Sequence, residues 1–144
     1  MIVTFCGHRM LHDERAVQAW LEKLLPQLIK AGADTFYVGG KGAFDHKAAA
    51  VAMACKKQYP HIRVTLVQAY IDQARIPELH DDTLYPPLES VPPRFAITRR
   101  NEYMLRAADV VVAYVVHNAN NSIKNRDFAL RLGKRVICYP EERI

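Results

Sequence analysis

Segments that read as buried strands alternate with segments that read as helices, and nothing else in the chain narrows the fold so far. Apolar, β-rich runs stand at 2–6, 35–38, 62–69, 109–116 and 135–139. The fourth is the most apolar, with Val110, Val111, Val112, Val115 and Val116, and so is expected at the centre of a sheet. Between the strands, residues 12–31 carry Val17, Trp20, Leu21, Leu24, Leu25 and Leu28 on one helical stripe. Pro26 lies inside that stripe, where a lost donor and a ring clash predict a kink or a break. Further helices are expected over 44–58, over 95–107, and from the loop at 117–122 to about Leu132, with Gly133 as the stop. Strand–helix alternation of this kind belongs to a parallel sheet covered on both faces. Right-handed crossovers then predict a three-layer α/β/α domain with a five-stranded, mainly parallel sheet in the order 3-2-1-4-5. Residues 71–93 break the pattern, with Pro77, Pro86, Pro87, Pro92 and Pro93 and no clear period. They are expected to form an irregular excursion, a lid or an interface, within one domain spanning 1–144.

Composition excludes several classes. The chain has 144 residues, half of them apolar, enough for one core. No run approaches the roughly 20 apolar residues that a membrane span needs. The opening Met1-Ile2-Val3-Thr4-Phe5-Cys6 has no basic region and reads as a strand, not a signal peptide. Three cysteines, Cys6, Cys55 and Cys138, are an odd number without metal-like spacing, which predicts a reducing, cytoplasmic setting. The net charge of +5 is scattered, with doublets only at Lys56-Lys57 and Arg99-Arg100. It suits an anionic small molecule at least as well as a nucleic acid. With no zinc-type cluster, no P-loop lysine motif and no nucleophile elbow, neither a metal nor a resident cofactor is expected.

In open α/β sheets ligands bind beyond the carboxyl ends of the strands, where the strand order reverses. Four loops converge there: Gly7-His8-Arg9, Gly39 to Asp45, Ala69-Tyr70 and His117 to Ser122. The strongest is Gly39-Gly40-Lys41-Gly42-Ala43-Phe44-Asp45, in which three glycines let the backbone approach a ligand and the next helix offers free N–H groups. Asp45 suits either a helix cap or a ribose hydroxyl. Gly7-His8-Arg9 follows the first strand; Arg9 can fork onto a phosphate and His8 can donate to the same anion. Arg99-Arg100-Asn101 open a helix against its dipole, a local conflict that marks Arg100 and Asn101 as site candidates. His117, Asn118, Asn121 and Ser122 supply neutral hydrogen-bonding groups at the end of the fourth strand, and Asn121 or Ser122 suits a helix cap. Cys6 reads as a core residue rather than a nucleophile.

Taken in order, Thr4-Phe5-Cys6-Gly7-His8-Arg9, Phe36 to Asp45, Pro93-Arg94-Phe95-Ala96-Ile97 into Arg100-Asn101-Glu102-Tyr103-Met104, Ala108 to Val116, and Leu132 to Ile137 resemble the SLOG superfamily. This Rossmann-like group contains the DprA/Smf DNA-processing proteins and the LOG proteins, and the nearest branch looks like the small YpsA-like proteins of bacteria and phages. The resemblance implies binding or sensing of a nucleotide or an ADP-ribose-like derivative, and a possible homodimer. It also implies two alternatives: LOG-like hydrolysis of the N-glycosidic bond of nucleoside monophosphates, and association with DNA as in DprA. Arg100 is similar to the LOG arginine that precedes the fourth strand, and is the catalytic candidate on that alternative. The LOG glycine-rich loop with its glutamate has departed: the chain reads His117-Asn118-Ala119-Asn120-Asn121-Ser122-Ile123-Lys124-Asn125 there. Asp45, Glu102 and Asp127 are the remaining carboxylates that a hydrolase would have to use.

Overall fold

Each apolar run becomes a strand in the structure, a computed structural model that describes residues 1–116 and 120–139. β1 is Ile2–Gly7, β2 Thr35–Val38, β3 Arg63–Val67, β5 Val110–Tyr114 and β6 Arg135–Tyr139. The sheet nevertheless has six strands, not the expected five. The addition is β4, Asp82–Leu84, which rises out of the proline-rich segment and extends the order to β4-β3-β2-β1-β5-β6. All pairings are parallel.

β4 escaped the sequence pattern because only three of its residues pair and none is fully buried. Its attachment is polar and non-local. The Asp81 N–H donates to Val64 O at 2.7 Å, Gln68 N–H donates to Leu84 O at 2.8 Å, and Asp81 Oδ2 accepts the Val64 N–H at 2.8 Å.

Alternate residues of β5 serve opposite layers. Val110, Val112 and Tyr114 join the core under α1 (Glu14–Lys30) and α2 (Ala43–Cys55). Val111 and Ala113 join the one under α3 (Ala96–Ala107) and α4 (Asn120–Arg131). Small side chains at Ala48, Ala49 and Ala52 seat α2 directly on the sheet. α1 does not break at Pro26 but runs on to Lys30. A proline in a helix interior costs about 3 kcal/mol, whereas each buried Leu or Val contributes roughly 1.5–3 kcal/mol. The stripe of Val17, Leu21, Leu24, Leu25, Leu28 and Ile29 is buried on both sides of the proline and outweighs it.

β1 is the strand at which the order reverses, with β2 on one side and β5 on the other. The crevice beyond its carboxyl end is therefore where a ligand site is expected. A single 3-10 turn, Pro93–Phe95, leads into α3 and sets that helix beside the crevice. Among the described residues no helix is long and apolar enough to cross a membrane.

Candidate functional site

A cavity of about 470 Å³ opens at this crevice. Gly7, His8 and Arg9 line it from the end of β1, Lys41 and Asp45 from the start of α2, Arg100 and Asn101 from α3, and Asn121 and Ser122 from α4. Gly39, Gly40, Gly42 and Phe44 do not line it. His117 and Asn118 lie outside the described residues.

Arg100 is the largest side chain in the fully buried interior, only 2% exposed. Its Nη1 donates to Gly39 O at 2.7 Å and to Val67 O at 3.0 Å, and its Nε donates to Asn101 Oδ1 at 2.9 Å. One guanidinium thus satisfies the carbonyls at the ends of β2 and β3. Burial lowers its pKa, against the pull of the neighbouring Asp45 charge. Arg99, one residue earlier, is exposed and pairs with Glu102 at 3.2 Å.

The glycine loop is built around Arg100 and Asp45. A Cβ on Gly39 would stand 2.8 Å from Arg100 Cζ, so only glycine lets the guanidinium in. Gly42 has φ +88° and presses on Arg9, whose Cα would lie 2.9 Å from an added Cβ. Arg9 O accepts the Ala43 N–H there at 2.7 Å, which docks the β1 turn against the start of α2, while the Arg9 side chain is exposed. Asp45 does not cap the helix; Gly42 holds the N-cap position. Instead Asp45 reaches back, accepting the Gly39 N–H at 3.1 Å and the Lys41 N–H. Two of the loop's N–H groups, which on spacing alone suit a phosphate, are therefore spent on the chain's own carboxylate. Burial pushes the Asp45 carboxyl up, against Arg100 and those two N–H groups.

His8 is buried, and its Nε2 accepts the Val116 N–H at 2.9 Å. That bond places the proton of the neutral ring on Nδ1. The ring stands edge-on to Tyr114 at 5.4 Å, tying the ends of β1 and β5 together. Phe44 belongs to the core: it stacks on Tyr114 at 5.4 Å and fills the space that a side chain at Gly7 would need. Ser122 is buried, while Asn121 and Lys41 are exposed. The Cys6 thiol, pushed up to about 12 mainly by burial, is not a nucleophile at neutral pH. Among the described residues no group of three or more His, Cys, Asp or Glu side chains is placed to hold a metal.

Sequence reasoning missed an apolar wall formed by Ile97, Met104 and Leu105, together with Met10, His12 and Asn125. A signal for the wall was present. Residues 97, 100, 101, 104 and 105 recur at the spacing of one helical face, so a helix that presents Arg100 presents Ile97, Met104 and Leu105 beside it. Asn125 follows Asn121 by one turn in the same way. Gln73 was also missed. From the irregular segment its Nε2 donates to Gly39 O at 3.0 Å, and its Oε1 accepts the Ala69 N–H at 2.9 Å.

No protein-family model matches the chain, and no curated protein matches it in sequence. Solved structures do match. TM1055, a structural-genomics target, superposes with a TM-score of 0.62 at 19% identity, over 94% of this chain and 71% of that one. The molybdenum cofactor carrier protein of Chlamydomonas reinhardtii gives 0.63 at 16% identity, over 95% and 75%. DNA processing protein A of Helicobacter pylori, described for its single-stranded DNA binding, gives 0.68 at 17% identity, over 99% and 66%. The fold is Rossmann-like. Identities this low establish a shared fold and no more, and at that level the three are consistent with the SLOG resemblance.

Proposed function

We propose that the cavity beyond β1 binds a nucleotide or a nucleotide-derived anion, and that the protein holds or senses this ligand rather than transforming it. The observation that carries this is the lining. Arg9, Lys41 and Arg100 supply positive charge to a cavity that Ile97, Met104 and Leu105 also line with apolar surface. A charged group and a flat heterocycle would each find a complementary surface, in a volume ordinary for small-molecule sites. The carrier protein among the structural neighbours is named for a small-molecule cargo, which supports a binding role. On the same reading we assign residues 1–144, as one domain, to the SLOG superfamily and its YpsA-like branch, in a cytoplasmic setting.

Binding is preferred to hydrolysis on the placement of the carboxylates. Of Asp45, Glu102 and Asp127, only Asp45 lines the cavity, and it is already committed to the loop. Glu102 is paired on the surface with Arg99, and Asp127 with Arg126 at 3.3 Å. Asn125 faces the cavity in place of an acid.

Isothermal calorimetry and thermal shift with ADP-ribose, NAD, AMP and cyclic nucleotides test the proposal. Saturable binding of at least one is expected. A well-folded sample that binds none of them at millimolar concentration removes it. Release of free base from nucleoside monophosphates would favour the hydrolase instead, and salt-dependent binding of single-stranded DNA would favour the nucleic-acid reading.

A further inference from the structure

We propose that His80 is an acid-sensitive latch that holds the 71–81 segment against the glycine loop, and so couples the state of the cavity to pH. This regulation rests on the reading of the cavity as a nucleotide site; the latch itself rests on the geometry around His80.

His80 is 1% exposed, although the loop that carries it, from Ala74 to Glu78, is exposed. The ring is the loop's internal anchor. Nδ1 accepts the Ile76 N–H at 3.0 Å. The backbone of His80 closes the same turn, its N–H donating to Ile76 O at 2.9 Å and its carbonyl accepting Arg75 Nη1 at 2.7 Å. Because Nδ1 is an acceptor, the proton of the neutral ring sits on Nε2. Nε2 is buried and, among the described residues, has no hydrogen-bond partner.

A second proton can enter only at Nδ1, where it would face the Ile76 N–H donor to donor. The bond that closes the turn is then lost, and a cation is left buried. Its surroundings offer no relief. The charged groups that act on the ring are His46, from α2, and Arg75, from its own loop, and both oppose a further positive charge. The neighbouring carboxylates are engaged elsewhere, Asp81 with Lys56 at 2.9 Å and Asp82 with Arg63 at 2.9 Å. Burial, followed by those two neighbours, holds the His80 pKa below the ordinary histidine value. Acid therefore favours conformations in which the ring leaves its pocket and the 76–80 turn opens.

The turn is tied to the cavity through Gln73. That side chain bridges the Ala69 N–H and Gly39 O, and Gly39 O is the same carbonyl that Arg100 holds. Gln73 is fixed in turn by its backbone, its N–H donating to Tyr70 O at 3.0 Å and its carbonyl accepting Gln68 Nε2 at 2.8 Å. Opening at His80 frees the chain three residues beyond Gln73 and loosens the bracket on Gly39. His80 is thus a positioning residue: it touches no ligand and acts through Gln73 and the loop.

The test is amide hydrogen exchange by NMR on the ligand-free protein between about pH 7.5 and 5.5, in wild type and in His80→Asn. Asparagine keeps an acceptor for the Ile76 N–H but cannot titrate. In wild type, protection at Ile76 and Ala69, corrected for the intrinsic pH dependence of exchange, is expected to fall about tenfold on acidification, while the variant stays level. The His80 ring resonances, followed in wild type alone, are expected to titrate with that loss. Unchanged protection in wild type, or an equal loss in His80→Asn, overturns the latch. A second arm measures ADP-ribose binding at the two pH values, where affinity is expected to weaken in wild type more than in His80→Asn. Absence of nucleotide binding at either pH would overturn the functional reading, while the ligand-free exchange still decides the latch.

Discussion

Arg100 shows how much one side chain can be asked to do. Two adjacent arginines at the start of a helix oppose its dipole, and the sequence reading favours Arg100 over Arg99 as the site residue. In the fold Arg99 faces solvent, whereas Arg100 turns inward and donates to two carbonyls, Val67 O and the Gly39 O that it shares with Gln73. Removing it takes the donor from Val67 O, leaves Gly39 O to Gln73 alone and leaves Asp45 uncompensated. Arg100→Ala is therefore expected to cost about 2–5 kcal/mol in urea unfolding. Arg100→Lys should recover only part of that, because an ammonium cannot keep the Nε bond to Asn101 while reaching both carbonyls. A cost near zero for Arg100→Ala would show that the guanidinium is not the strut described. Any loss of ligand affinity in these variants must be read against the stability change, since the same residue holds the loop in place.

The elements differ in how plainly they announce themselves. The apolar strands and the stripe of α1 were legible because burial on a fixed period leaves a pattern that no nearby residue can hide. At Pro26 local propensity predicts a kink or a break, but packing on the sheet carries the helix through it without a break. Pro26→Ala would restore a backbone donor without disturbing the buried stripe. It is expected to raise the urea midpoint, by about 1–3 kcal/mol in stability, and a loss of stability would mean that the ring itself packs usefully. β4 is the opposite case. Three half-exposed residues between prolines carry no periodicity, and the strand exists because β3 presents an open edge to it and Asp81 caps the junction. The polar contacts that create it join residues far apart in sequence, and no window of the chain contains both partners.

At the scale of the whole molecule, the buried titratable groups predict how stability responds to acid. His80 has a folded pKa below its unfolded value of about 6.5. The unfolded chain therefore takes up the proton first, and stability falls as pH drops below that value. Burial alone would push the Asp81 carboxyl up, but the Val64 N–H and Lys56 hold it below the usual carboxylate range. Its contribution is present above the unfolded value of about 3.9 and is lost as pH falls through the folded one. Asp34 behaves likewise, held down by the N-terminal ammonium and then by Thr35. Asp45 works the other way, since its raised pKa relieves the cost of a buried charge as pH falls. Urea midpoints measured against pH should thus decline in two windows, one below about 6.5 and one below about 3.9. His80→Asn should abolish much of the upper window and leave the lower one. A profile with no decline in the upper window would show that His80 does not contribute as described.

The sequence by itself determined the layers, the reversal of strand order at β1 and the loops after β1 and β2 that meet beyond it, but not the middle of the sheet, since the most apolar strand, β5, lies next to the edge strand β6. These follow from burial patterns repeated along the chain and from the handedness of crossovers, both of which are local or general. It also marked nine of the residues that line the cavity, among them Arg9, Lys41, Asp45 and Arg100. Only the tertiary structure decided what those residues face. It turned the phosphate-friendly loop onto Asp45, spent Arg100 on the carbonyls of β2 and β3, put Phe44 in the core, set Ile97, Met104 and Leu105 beside the charges, and attached β4 and Gln73 to the far edge. Each of these is a pairing between distant residues, fixed by the need to satisfy buried polar groups and fill space once the chain has closed, and that need does not exist until the fold does.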